Sequence, residues 1–207
     1  MGRVSQAQAE ENRRRVVDTA SRLFREQGTH VSVTDLMKAA GLTHGGFYKQ
    51  FASKEALVDE ATAHAFTELA LRHAAGLARY DGQRDAAQRA LVDAYLSVEH
   101  RDDAADGCPV AALAVDIARQ DEDGEARRVY TEGVADFAAF LMPTGTAGRD
   151  GDGDEGGNGS GDGDGDGDGI ARLCTLFGAL VLARATKGSP LSEEILTAAH
   201  AALTRDS

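Results

Sequence analysis

The sequence predicts an all-α fold. Three observations carry this expectation. Apolar residues recur at three- and four-residue spacing through most of the chain. No β-branched alternation of strand type is sustained anywhere. Long segments rich in Ala, Leu, Arg and Glu are interrupted by only 3 Pro in 207 residues. With 42% hydrophobic residues the chain has enough apolar mass for a buried core.

About nine helices are expected from these periodicities. The first carries Val16, Val17, Ala20, Leu23 and Phe24 at helical spacing and stops at Gly28. Val31, Ser32 and Val33 form a short link, after which Thr34 is the expected cap of a second helix with Leu36, Met37 and Ala40 on its apolar face. Gly41 ends that helix and leaves Leu42 in the turn. Thr43 then caps a short third helix running to about Phe51. Ser53 caps a fourth, with Glu55 in its first turn and Leu57, Ala61, Ala65 and Leu69 along one side. Further helices are expected at 85–101, 109–120 and 124–142, then at 170–187 and 191–204, the last pair separated by Gly188, Ser189 and Pro190. Leu173, Phe177, Leu180 and Val181 stripe one of these, and Ile195, Ala199, Ala202 and Leu203 the other.

The formal charge of -12 at pH 7 argues at first against nucleic acid as a partner. Its distribution argues otherwise. Residues 1–54 hold nine Lys or Arg against five Asp or Glu, a balance of +4, and the rest of the chain carries -16. Seven of those negative charges sit in residues 151–169, which read GDGDEGGNGSGDGDGDGDG. Gly loses the most backbone entropy on ordering and the tract offers no apolar side chain to bury, so a flexible acidic loop over 144–169 is expected. Spacing favours such a loop over a calcium site. Counted from Asp162, the twelfth position is Leu173, where a bidentate Glu is required. A mildly basic head on an acidic body is a pointer to nucleic-acid contact by the head.

Residues 32–43 follow helix-turn-helix logic. Small Ala39 and Ala40 let two helices cross closely, Gly41 supplies the backbone freedom of the turn, and Leu42 plugs the core. A helix starting at Thr43 then offers its polar N-terminal end to the major groove. The strings VVDTASRLFREQG and TDLMKAAGLTHGGFYKQFASKEAL strongly resemble the N-terminal domain of the tetracycline-repressor (TetR/AcrR) family of bacterial transcription regulators, over about residues 12–62. The resemblance implies a helix-turn-helix domain at 9–69, with the motif itself at about 32–51. It also implies a helical ligand-binding and dimerisation domain at 70–207. By position it implies phosphate contacts from Thr34, Thr43 and Lys54, base-facing places for His44, Gly45 and Gly46, and phosphate or base contacts from Tyr48 and Lys49. Phe47 and Phe51 are expected in the core. His44 and Gln50 stand where many members have Lys and His, and Gly45 and Gly46 offer few side chains for direct readout. Arg13, Arg14 and Arg15 are expected to add electrostatic phosphate contacts.

The same resemblance implies a homodimer on a pseudo-palindromic DNA operator, repressing until an unknown small-molecule or electrophile effector releases it. Cys108 lies just before Pro109, a residue suited to the first helical position. Two readings stay open for it: a thiol eased toward ionisation by a helix N-terminus and so able to sense oxidants or electrophiles, or a small buried apolar residue. Cys108 and Cys174 are too few for a disulfide framework or a four-cysteine zinc site. The six His are scattered, and His64 lies four residues before Glu68 without a His-x₃-His partner, so no metal site and no cofactor are expected. No GxxxxGK[ST], GxSxG in nucleophile-elbow context or HExxH occurs, so an enzyme is not expected. No run of about eighteen apolar residues occurs, and Met1 to Arg15 is polar, so a cytoplasmic protein with no membrane span is expected.

Overall fold

A computed structural model describes residues 6–143 and 164–205. Among the described residues the chain is all-helical, with nine α-helices and one 3-10 helix in the order α1 Gln6–Gln27, α2 Val33–Ala39, η1 His44–Lys49, α3 Lys54–Arg79, α4 Arg84–Tyr95, α5 Val98–Asp102, α6 Pro109–Ala118, α7 Glu125–Leu141, α8 Asp164–Ala185 and α9 Pro190–Thr204. The helices gather into two compact units. One comprises the chain to Leu71 plus Asp103–Gly133, the other Arg72–Asp102 plus the chain from Val134.

The first unit is built on a continuous apolar cluster. Val16, Ala20 and Phe24 of α1 meet Leu36 and Met37 of α2, Phe47 of η1, Leu57 and Ala61 of α3 and Leu113 and Ile117 of α6. Gly28 closes α1 at φ +86, a left-handed conformation that costs a glycine nothing. The next residue is held from α6: the Thr29 amide donates to Asp116 Oδ2 at 2.6 Å. Asp59 of α3 accepts from the Ala126 amide at 3.0 Å, satisfying one of the unpaired donors at the start of α7. Tyr130 packs edge-to-face on Phe66 and donates to Val110 O at 2.8 Å. Burial pushes its phenol up to about 12, with Cys108 adding to the effect.

In the second unit α8 and α9 form an antiparallel pair with α4 and α5 against them. A buried polar chain joins them: Arg101 donates to Ser192 Oγ at 2.9 Å, and Ser192 Oγ donates to Ala183 O at 2.7 Å. Arg184 donates to the His100 and Arg101 carbonyls at 3.0 and 3.1 Å, capping the end of α5. Gln88 of α4 does the same for the end of α7, donating to Phe140 O and Met142 O at 2.7 and 2.8 Å.

Three expectations are corrected. The helix expected at 85–101 is broken at Leu96 and Ser97. The Ser97 hydroxyl donates to Ala94 O at 2.9 Å and accepts from the His100 amide at 3.1 Å, so it closes one helix and opens another. The loop expected to run to 169 ends earlier, because α8 begins at Asp164. Gly169 is buried in that helix, and a Cβ there would lie 2.3 Å from Ala138 O. The missing side chain thus permits a close approach of α8 to α7. The remaining part of the acidic tract, with the loop and calcium questions attached to it, lies outside the described residues. The third helix is a 3-10 turn ending at Lys49, as the glycine pair disfavours a regular α-helix.

Candidate nucleic-acid interface

The interface begins with a helix start. α2 is capped by Ser32, which has extended backbone angles and whose Oγ accepts from the Asp35 amide at 3.1 Å. Ser32 Oγ also lies 2.6 Å from Asp35 Oδ2, to which it donates. The expected cap, Thr34, is instead the second residue of the helix. Both residues carry a capping hydroxyl, and the helix starts two residues earlier than the spacing suggested. Thr34 is exposed, so its hydroxyl points away from the helix core.

The turn after α2 is a Schellman motif. Gly41 has φ +70, its amide donates to Lys38 O at 3.0 Å, and the Leu42 amide donates to Met37 O at 2.8 Å. Thr43 follows in extended conformation as the cap residue of η1, and its side chain makes no capping hydrogen bond there. Gly46 N donates to Thr43 O at 2.9 Å, setting the tight 3-10 spacing.

η1 separates its residues by face. Phe47 is fully buried and stacks on Phe51 with centroids 5.4 Å apart. Thr43, His44, Gly45, Tyr48 and Lys49 are exposed, and Tyr48 keeps 67% of its surface in solvent. Tyr48 contacts Phe47 edge-on at 5.1 Å and His44 at 6.3 Å, so the exposed ring is oriented from both sides. A Cβ on Gly45 would touch nothing within 4 Å, and one on Gly46 would meet Met37 Cε at 3.6 Å, an ordinary contact. Neither glycine is demanded by packing. Lys54, half-buried, opens α3, where the Ala56 amide donates to Ser53 Oγ at 3.2 Å. The structure therefore brings Thr43, His44, Gly45, Tyr48 and Lys49 together on one exposed helical turn.

The arginines of α1 divide. Arg13 donates to the Gln50 carbonyl, pairs with Glu60 of α3 and lays its guanidinium over Phe51 at 4.4 Å. It fastens the end of η1 to two helices. Arg14 pairs with Glu11 one turn away. Cys108 is buried at 3% exposure, is the cap residue of α6, and has Pro109 in the first turn after it, whereas Cys174 is exposed. The sequence reading also missed a cluster beside these arginines: Asp18, His64 and Glu68 converge from α1 and α3. Two of these are four residues apart, but the third becomes a neighbour only when the two helices pack.

Residues 16–61 match the family model for bacterial regulatory proteins of the tetR family. The chain carries a TetR-family domain. Over 61 residues it is 39% identical to the HTH-type transcriptional regulator AcrR of Shigella flexneri, a match that spans 29% of this chain and 28% of that relative. Among solved structures, a TetR transcriptional regulator from Chloroflexus aurantiacus aligns with TM-score 0.70 and 24% identity, covering 97% of this chain and 98% of that one. NemR of E. coli, in its reduced form, aligns with TM-score 0.69 and 18% identity over 94% and 95%. These likenesses extend the TetR-type fold over nearly the whole chain. Within the TetR-family domain, the Schellman turn at Gly41 and the buried Phe47 and Phe51 are what present η1 outward. Among the described residues, no helix is long and apolar enough to cross a membrane.

Proposed function

We propose that the chain is a DNA-binding transcriptional regulator, not an enzyme, which acts as a cytoplasmic homodimer. It represses from a pseudo-palindromic double-stranded operator until a small-molecule or electrophile effector releases it. The observation that carries this is the exposed turn of η1, with polar and aromatic groups outward on a rigid apolar anchor, inside a TetR-family domain. On that turn Thr43, Tyr48 and Lys49 suit phosphate contact, as do Thr34 and Lys54 beside it, while His44, Gly45 and Gly46 suit close approach to base edges. The dimer is supported by Val181, Leu182 and Leu191, large apolar residues left exposed on the α8–α9 pair. The domain limits 9–69 and 70–207 belong to the same proposal. Two sites coupled by one conformational equilibrium would make DNA and effector weaken each other reciprocally. The electrophile branch rests on Cys108 at the head of α6 and requires local opening, since its Sγ is buried.

The test is a salt-dependent DNA-shift assay with the full chain and the DNA upstream of its own gene. Lys54→Ala should weaken binding to all sequences alike, whereas His44→Ala should change which sequence is preferred. An unaltered preference in His44→Ala removes the base-reading role. Electrophile-induced release that survives Cys108→Ser removes the thiol branch and leaves a non-covalent effector.

A further inference from the structure

The Asp18, His64 and Glu68 cluster lies within the first unit and outside the interface. His64 Nε2 is 3.6 Å from Asp18 Oδ1 and 3.6 Å from Glu68 Oε1. These separations exceed hydrogen-bond reach, and Nε2 is shielded from solvent with no hydrogen-bond partner among the described residues. A polar atom in that position costs free energy unless something meets it. The three donor atoms lie within 4.8 Å of one another. Ligands about 2.0–2.2 Å from a tetrahedral ion stand roughly 3.3–3.6 Å apart, which matches both imidazole–carboxylate separations.

The surroundings fit an ion too. Arg25, buried on α1, donates to Glu68 Oε2 at 3.1 Å, which orients the carboxylate and leaves Oε1 toward His64. Arg13 and Arg14, which line the adjoining pocket, are paired with Glu60 and Glu11, so those partners and not the cluster offset their charge. Asp18 is 56% exposed at its side chain, and an open pocket that Asp18 and His64 share with Arg13, Arg14, Arg15 and Glu60 gives water access. We propose that Asp18, His64 and Glu68 form a binding site for a divalent transition-metal ion of the zinc class, completed by water. One imidazole and two carboxylates suit such an ion. Bound there, it would clamp α1 to α3, the helices between which Arg13 already holds the end of η1.

Calorimetric titration of the tag-free full chain with Zn²⁺ tests the site. One ion per chain is expected beyond weak association with exposed carboxylates. His64→Ala and Asp18→Asn should each weaken that step by about tenfold or more. Asp18→Asn is nearly isosteric at a half-exposed position, so its loss of binding cannot be charged to misfolding, and far-UV circular dichroism checks both variants. His200→Ala, which removes the exposed imidazole 2.7 Å from Asp93, should leave the step unchanged. Absence of a one-ion step, or Zn²⁺ binding unaltered in both His64→Ala and Asp18→Asn, would overturn the proposal and leave the cluster as an imidazole between two carboxylates.

Discussion

At the residue scale, environment decides what a side chain contributes. His73 shows this in the second unit. Its ring stacks on Phe140 at 4.5 Å and lies 4.6 Å from Phe137. Burial, with a smaller push from Arg72, lowers its pKa to about 4. The folded state therefore holds the neutral ring while the unfolded chain protonates near 6.5, so the unfolded state binds more protons between these values. Stability is then lost as pH falls from about 6.5 toward 4, by on the order of 2–3 kcal/mol for this group. Thermal melts at pH 7.5 and 5 should show a smaller acid loss in His73→Phe than in the parent. Equal losses would mean that His73 is not held neutral. Nothing local in the sequence singles it out, because its aromatic neighbours come from α7, more than sixty residues away. Hydroxyl residues posed a related ambiguity: Ser32 and Thr34 are both competent caps, and only the hydrogen bond to the Asp35 amide distinguishes them.

At the element scale, η1 is too short to hold its own orientation and borrows it from neighbours. Arg13 ties its end to α1 and α3 through the Gln50 carbonyl, Glu60 and the face of Phe51. Arg13→Ala should cost about 1 kcal/mol of stability, a figure kept low because both charged partners are partly exposed. DNA affinity should fall by more than that loss alone accounts for, because the end of the recognition turn is freed. Denaturant melts beside DNA titrations give the two numbers. Affinity unchanged in Arg13→Ala would show that the tether does not position η1. Legibility varied with how local the cause was. Gly28 and Gly41 announced their helix ends through a conformation that glycine adopts freely. The break at Ser97 carried no glycine or proline and depended on one hydroxyl making two backbone bonds. Gly169 read as loop by composition, yet it sits in α8, where the Ala138 carbonyl leaves no room for a side chain.

At the scale of the whole molecule, charge divides the labour. The net -12 hides a head at +4 over residues 1–54 and a remainder at -16. DNA is attracted to the first and repelled by the second, which favours contact through the TetR-family domain over any other face. The all-α class and the helix-turn-helix were legible because each rests on spacing within a few dozen residues. The Asp18, His64 and Glu68 cluster was not, since α1 and α3 must pack before its donors meet. The central claim is sequence-specific DNA binding by a two-fold pair of chains. It is tested most directly by selecting randomised duplexes on the purified full chain, then titrating the enriched duplex over a range of salt. A two-fold symmetric sequence bound by an even number of chains, with log affinity falling linearly in log salt, is the predicted result. Enrichment of no sequence, or binding that Thr43→Ala, His44→Ala and Tyr48→Ala leave untouched, would contradict it.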